Sequence, residues 1–156
     1  MAEKQNPLRQ LLTEGQSFWY DNMRRKLLQD GSLQKLVDDD GLRGITSNPT
    51  IFANALSAAD DYDVDIDKYA KEGLDLSALF QQLATDDIRV ACDMLRPIYD
   101  SSNGHDGFVS IEVSPAAAHD TAVTIREAHD LWQTVDRPNL MVKIPGTREG
   151  LPAIEQ

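Results

Sequence analysis

Apolar and polar positions along the 156-residue chain follow two rhythms. Short runs rich in β-branched and aromatic residues alternate faces at every step, and between them apolar residues return every three or four positions. The first rhythm predicts strands and the second predicts helices. After a short helical lead from Pro7 to about Thr13, the run Ser17-Phe18-Trp19-Tyr20-Asp21 is the first predicted strand. Leu27, Leu28, Leu33, Leu36 and Val37 then carry helical spacing, interrupted by Gly31 and closed by the acidic run Asp38 to Asp40 and Gly41, which is expected to be a solvated helix end. Leu42 to Ser47 is the second predicted strand, and Asn48-Pro49 is a cap and first-turn pair for the helix that follows. From Ile51 to about Tyr99 the spacing is helical, with the acidic segment Ala59 to Asp67 expected to join two helices. A turn from Ser101 to Gly107 leads to a third strand, Phe108 to Val113. Ser114-Pro115 then opens a helix whose stripe is Ala118, Ala122, Ile125, Ala128 and Trp132. Asn139 to Ile144 is the fourth strand, and Pro145-Gly146-Thr147 turns into a further helix.

Four strands alternating with helical segments imply an α/β fold, a parallel sheet with helices outside it. Repeated single crossovers suit either a barrel or an open doubly wound sheet. The chain has no glycine-rich dinucleotide fingerprint, which disfavours the doubly wound alternative. The last helix begins near Thr147 and the sequence stops at Gln156, so residues 1–156 are expected to be a single truncated domain.

Because side chains alternate along a strand, parity assigns each residue to a face. Val109, Ile111 and Val113 share one face of strand three, and Leu140, Val142 and Ile144 share one face of strand four; both suit packing against helices. The opposite parity, which in strand two also carries Gly44 and Thr46, collects Asp21, Asn48, Glu112 and Lys143, each at the C-terminal end of its strand. That rim is where barrels of this kind place their chemistry.

Composition narrows the options. A formal charge of −11, from 26 acidic and 15 basic residues, disfavours nucleic acid as a partner but leaves a small anion possible in a local pocket. No stretch approaches a membrane span, the N-terminal Met1 to Pro7 lacks a signal-like apolar core, and the lone Cys92 fits a reducing cytoplasm, so a cytoplasmic location is expected. Cys92, Trp19 and Trp132 are expected to be packing groups. His119 and His129 lie ten apart and His105 sits in a turn, so no histidine pair has metal-ligand spacing and no metal site is expected.

A partly desolvated lysine at a strand end can attack a carbonyl, and making, using and hydrolysing the resulting imine requires nearby proton carriers. Lys143 is the candidate nucleophile, with Asp21 and Glu112 as the carboxylates. Each has a plainer reading: Lys143 as a strand-end lysine reaching water, Asp21 as a helix cap, Glu112 as a salt-bridge partner, Asn48 as the cap of the Pro49 helix.

The segments Gly15-Gln16-Ser17-Phe18-Trp19-Tyr20-Asp21, Gly44-Ile45-Thr46-Ser47-Asn48-Pro49-Thr50-Ile51-Phe52, Ser110-Ile111-Glu112-Val113-Ser114-Pro115 and Asn139-Leu140-Met141-Val142-Lys143-Ile144-Pro145-Gly146-Thr147 together resemble the transaldolase family, in the branch that includes fusions to a phosphoglucose isomerase. The resemblance implies the first half, about four β/α units, of an eight-stranded barrel. It also implies transfer of a dihydroxyacetone unit between sugar phosphates in the pentose phosphate pathway, without metal or organic cofactor. On that resemblance Lys143 forms the Schiff base, Asp21 handles the proton of the hydroxyl at the cut, and Glu112 assists imine formation and hydrolysis. Asn48, with Thr46 beside it, binds the transferred unit. Residues that grip the substrate phosphate are expected in a second half. The piece alone is therefore expected to be weakly active or inactive, and to self-associate as a homo-oligomer or pair with that half. The competing readings are a non-catalytic half-barrel fragment, a fructose 6-phosphate aldolase-like lyase on the same scaffold, and an interaction module using the acidic surface.

Overall fold

The computed structural model describes residues 6–58 and 60–156. The stretch Met1 to Gln5 and Ala59, at the head of the acidic segment, lie outside the described residues. Four strands, β1 (Phe18–Asp21), β2 (Leu42–Thr46), β3 (Phe108–Glu112) and β4 (Leu140–Lys143), form one parallel sheet in sequential order β1-β2-β3-β4. Each pair of neighbours is connected through helices, the expected α/β arrangement of consecutive β/α units.

The helices are α1 (Pro7–Thr13), α2 (Arg25–Gln29), α3 (Ser32–Lys35), α4 (Pro49–Ala58), α5 (Asp63–Lys71), α6 (Leu76–Ser101), α7 (Thr121–Val135) and α8 (Leu151–Ile154). Asp75 caps α6 by accepting from the Ala78 N–H at 2.9 Å. The inward face of α6, Leu83, Ala84, Ile88, Ala91, Cys92 and Leu95, is buried with Ile45, Val109, Ile111, Val113 and Leu140 from the outer face of the sheet. This is the packing that the strand parity predicts. A smaller cluster of Ala55, Tyr62, Tyr69 and Leu83 joins α4 and α5 to the start of α6.

Three expectations need correction. Much of the acidic segment read as a linker is helical: α5 runs Asp63–Lys71 because Tyr62, Ile66 and Tyr69 recur at helical spacing and dock on the second cluster. The helix expected from Ser114-Pro115 is two elements, a 3₁₀ segment Pro115–His119 and then α7, separated at Asp120, whose extended backbone and carboxylate cap the Val123 N–H. The buried stripe of α7 is consequently Thr124, Leu131 and Val135, and Trp132 is 47% exposed. The run Asp38 to Asp40 is not simply solvated. It closes a π-helical turn, Leu36–Asp40, on which α1 docks through Asn6, whose Nδ2 donates to the Asp40 carboxylate at 2.6 Å, and through Arg9, which donates to the Asp38 carbonyl.

Two glycines mark close approaches, Gly44 on the site side of the sheet and Gly107 on the side covered by α6. The ring of Trp19 lies over Gly44, where a Cβ would sit 2.3 Å from ring carbons, and stacks toward Phe108 with centroids 6.5 Å apart. Gly107, at φ +82°, lets α6 pass the start of β3, where a Cβ would be 2.4 Å from the Tyr99 nitrogen. Both are positions that only glycine fits.

Candidate functional site

The strand faces that carry Trp19, Gly44 and Phe108 lead upward to the polar residues at the C-terminal rim. In the β1/β2 register Asp21 is opposite Thr46, and Thr46 Oγ1 donates to Asp21 Oδ1 at 2.5 Å. In the β3/β4 register Glu112 is opposite Lys143, and Lys143 Nζ lies 3.0 Å from Glu112 Oε2. Both partners of that ion pair are about one-third exposed, at 37% and 31% of their side chains, so the pair is reachable from solvent yet partly desolvated.

The rim residues thus come together as two pairs on one face of the sheet. Asp21 is no helix cap. Asn48 is one: its Oδ1 accepts from the Ile51 N–H at 2.9 Å, so its plainer reading holds. Asn48 also lines, with Glu112, a cleft of about 470 Å³ between α4, α6 and α7 whose lining includes Phe52, Phe80 and Leu131. Among the described residues no hydrogen bond or ion pair joins the Asp21–Thr46 pair to the Lys143–Glu112 pair. Continuing the β2/β3 register puts Thr46 level with Ser110, two residues below Glu112, so one interstrand spacing and two residue rises leave roughly 8 Å between the backbones of the two pairs.

What holds the two pairs together is a set of buried polar contacts. Ser47, fully buried, donates from Oγ to the Ser110 carbonyl at 2.7 Å, tying the exit of β2 to the middle of β3. The segment after Asp21 is anchored by Arg25 at the start of α2. The Arg25 Nε donates to Asp87 Oδ1 at 2.9 Å, its guanidinium lies 4.4 Å from the Tyr62 ring centroid, and it also pairs with Asp65. Tyr62 donates to Asp87 Oδ2 at 2.7 Å and accepts the Arg25 N–H at 3.1 Å. Burial raises the Asp87 carboxyl above the usual carboxylate range against the opposing pull of Tyr62 and Arg25, and burial also raises the Tyr62 hydroxyl. For Arg25 burial works the other way, and the contacts to Asp87, Asp65 and Tyr62 together outweigh it. Sequence reading missed this set. Its signal was a carboxylate at position 87 on the apolar stripe of α6, four residues from both Leu83 and Ala91.

Among the described residues no group of three or more His, Cys, Asp or Glu side chains is arranged to hold a metal, and no helix is long and apolar enough to cross a membrane. His119 and His129 fall on different elements.

Comparison with known proteins gives one consistent result. The family model described as Transaldolase/Fructose-6-phosphate aldolase matches residues 18–156. A protein of Nostoc punctiforme called Transaldolase 2 is 49% identical over 151 residues, covering 97% of this chain and 40% of its own length. Proteins called Transaldolase from Thiobacillus denitrificans and Saccharopolyspora erythraea are 50% and 52% identical, over 90% and 94% of this chain and 39% and 40% of theirs. The chain therefore spans about two-fifths of the length of the curated relatives it matches.

Proposed function

Because this chain belongs to the transaldolase/fructose-6-phosphate aldolase family, we propose that it carries the imine-forming part of a site that transfers a dihydroxyacetone unit between sugar phosphates. The observation that carries the reading is the Lys143–Glu112 pair at 3.0 Å, on the same sheet face and rim as the Asp21–Thr46 hydrogen bond. A nucleophilic amine needs a proton acceptor within hydrogen-bond reach, and Glu112 is in that position.

The chemistry runs as follows. Lys143 gives a proton to Glu112 and its free amine attacks the ketose carbonyl, forming a carbinolamine. Glu112 returns the proton as water leaves, which gives the imine. Asp21 takes the proton of the hydroxyl on the departing carbon of the scissile bond; that bond breaks, the departing carbon becomes an aldehyde, and the bond's electron pair remains on the lysine-bound unit as an enamine. Attack of the enamine on an acceptor aldehyde, with Asp21 returning its proton, reverses the sequence. Thr46, donating to Asp21, orients that carboxylate, and Asn48, whose Oδ1 serves the α4 cap, offers its amide N–H groups to the bound unit. On this reading the substrates are sedoheptulose 7-phosphate with glyceraldehyde 3-phosphate, and fructose 6-phosphate with erythrose 4-phosphate. The setting is the pentose phosphate pathway in the cytoplasm, and no cofactor takes part.

The test is borohydride trapping with fructose 6-phosphate followed by peptide mapping. An adduct on Lys143 that is lost in Lys143→Ala is expected, and the absence of an adduct on the wild-type chain would sink the reading. Product analysis with and without an acceptor aldehyde separates transfer from simple aldol cleavage, the other activity in the family description. One observation favours a non-catalytic, self-associating alternative: β1 and β4 each pair on one side only among the described residues, and an edge strand is a template for another chain. Light scattering on the chain alone, and after mixing with the remaining part of a relative, distinguishes a homo-oligomer from complementation.

A further inference from the structure

Glu127, on α7, grips the segment that leaves β3 at two points. Its Oε2 accepts from the Ser114 backbone N–H at 2.8 Å, and its Oε1 accepts from Ser114 Oγ at 2.9 Å. Ser114 is two residues beyond Glu112. Between them, Val113 donates its N–H to the carbonyl of Lys143 itself at 3.2 Å. The three residues Glu112, Val113 and Ser114 are thus held on one side to β4 at Lys143 and on the other to α7 at Glu127.

The anchor at the α7 end is firm. Leu131 and Val135 seat α7 in the core, and buried Thr124 donates from Oγ1 to the Ala117 carbonyl at 2.6 Å, fixing the 3₁₀ segment that follows Ser114. Pro115 restricts the next φ and brings no N–H of its own, so the Ser114 N–H and hydroxyl are the donors by which this exit is tied to α7. A carboxylate taking both is a charge-assisted, two-point contact, stronger and more directional than a single neutral hydrogen bond.

We propose that Glu127 is a positioning residue for the imine chemistry: by clamping Ser114 it sets the exit of β3 and so holds the Glu112 carboxylate against the Lys143 amine. The inference rests on the reading of Lys143 and Glu112 given above. Glu127 touches neither reacting group; it acts through Ser114 and the backbone of Val113.

Four variants of the full chain test it: Glu127→Ala, Glu127→Gln, Ser114→Ala and Glu112→Gln. Glutamine preserves the geometry, since its carbonyl accepts from the Ser114 N–H and its amide donates to Ser114 Oγ, whereas alanine removes both contacts. Two readouts are needed. One is the rate of borohydride-trapped adduct at Lys143 with fructose 6-phosphate. The other is labelling of Lys143 by trinitrobenzenesulfonate at fixed pH without sugar, located by peptide mass mapping, with Glu112→Gln marking complete loss of the ion pair. Misplacement by a fraction of an ångström to an ångström predicts trapping slowed about tenfold or more in Glu127→Ala. Labelling of that variant is expected to move toward the Glu112→Gln level, with most of both losses restored in Glu127→Gln. A role confined to fold stability would leave rate and labelling at the wild-type level at a temperature where all variants are folded by circular dichroism.

Wild-type trapping and labelling in Glu127→Ala overturns the proposal, as does a Glu127→Gln variant as impaired as alanine. If the wild-type chain forms no adduct, the reading of Lys143 fails, and the labelling series still decides the clamp. If Glu127→Ala does not fold, Ser114→Ala replaces it, and labelling of Ser114→Ala equal to wild type overturns the proposal.

Discussion

Asp87→Ala is the perturbation with the most legible cost. The Asp87 side chain is 4% exposed and serves two buried partners, Arg25 Nε at 2.9 Å and the Tyr62 hydroxyl at 2.7 Å. Alanine leaves the Arg25 guanidinium with Asp65, which is more exposed at 37%, and with the face of Tyr62. Removing one partner of a buried ion pair costs about 3–5 kcal/mol, and the residual contact to Asp65 argues for the lower end, ~3 kcal/mol. The stranded Tyr62 hydroxyl adds about 1 kcal/mol. The sum of ~4 kcal/mol is a large share of the 5–15 kcal/mol that holds an ordinary domain together. With a urea slope of about 2 kcal/mol per molar, the unfolding midpoint should fall by ~2 M. Urea titrations followed by circular dichroism and tryptophan fluorescence measure this, with coincident transitions as the condition for using the two-state expression. Asp87→Asn, which keeps an acceptor for Arg25, should lose less. A double-mutant cycle with Arg25→Met should return a coupling of about 2–3 kcal/mol. A cost below about 1 kcal/mol for Asp87→Ala at unchanged slope, or a coupling near zero, would refute the reasoning.

Gly44→Ala places a Cβ 2.3 Å from ring carbons of Trp19 and should cost about 1–3 kcal/mol by overpacking, with a shift in Trp19 emission while the exposed Trp132 is unchanged. Cys92 is fully buried and its thiol is pushed up to about 12, chiefly by burial, so Ellman's reagent should leave the native chain untouched and react fully in denaturing urea. The hydrogen bond from Tyr69 to Asp86, 2.5 Å long, together with burial, raises the Tyr69 hydroxyl to about 12. The folded chain therefore keeps this proton while the unfolded chain releases it near pH 10, so the contribution is complete below pH 10 and is lost as pH rises toward 12. Stability measured across that window should fall less steeply in Tyr69→Phe, and equal slopes would contradict the assignment.

The strands were readable because their alternation is local: Val109, Ile111 and Val113 announce a buried face wherever the strand sits, and the structure buries them under α6. Helix α5 was hidden because five of its nine residues are charged, and its docking depends on Tyr62 and Tyr69 meeting Leu83 from another helix, a contact set by tertiary packing. The division before α7 was local and was missed. Asp120 just ahead of the run Thr121–Val135 is a cap residue, overshadowed by the continuous run of alanines from 116 to 118. At the site, parity collected Asp21, Asn48, Glu112 and Lys143 on one face, but which residues touch depends on strand order and register. Those are long-range quantities. Thr46 therefore emerged as the partner of Asp21, and Glu112 as that of Lys143, only in the folded chain.

The ladders differ in length, and this has a mechanical consequence. The β1/β2 and β3/β4 ladders each register four residue pairs, while β2/β3 registers two, Gly44 with Phe108 and Ile45 with Val109. In mechanical language the sheet is two ribbons riveted along a short seam, with the Asp21–Thr46 pair on one ribbon and the Lys143–Glu112 pair on the other. Displacement of either ribbon as a body leaves its own pair intact and changes only the gap between the pairs. The Ser47 hydroxyl, bonded across to the Ser110 carbonyl above the last registered pair, is the bolt that lengthens the seam between the two pairs.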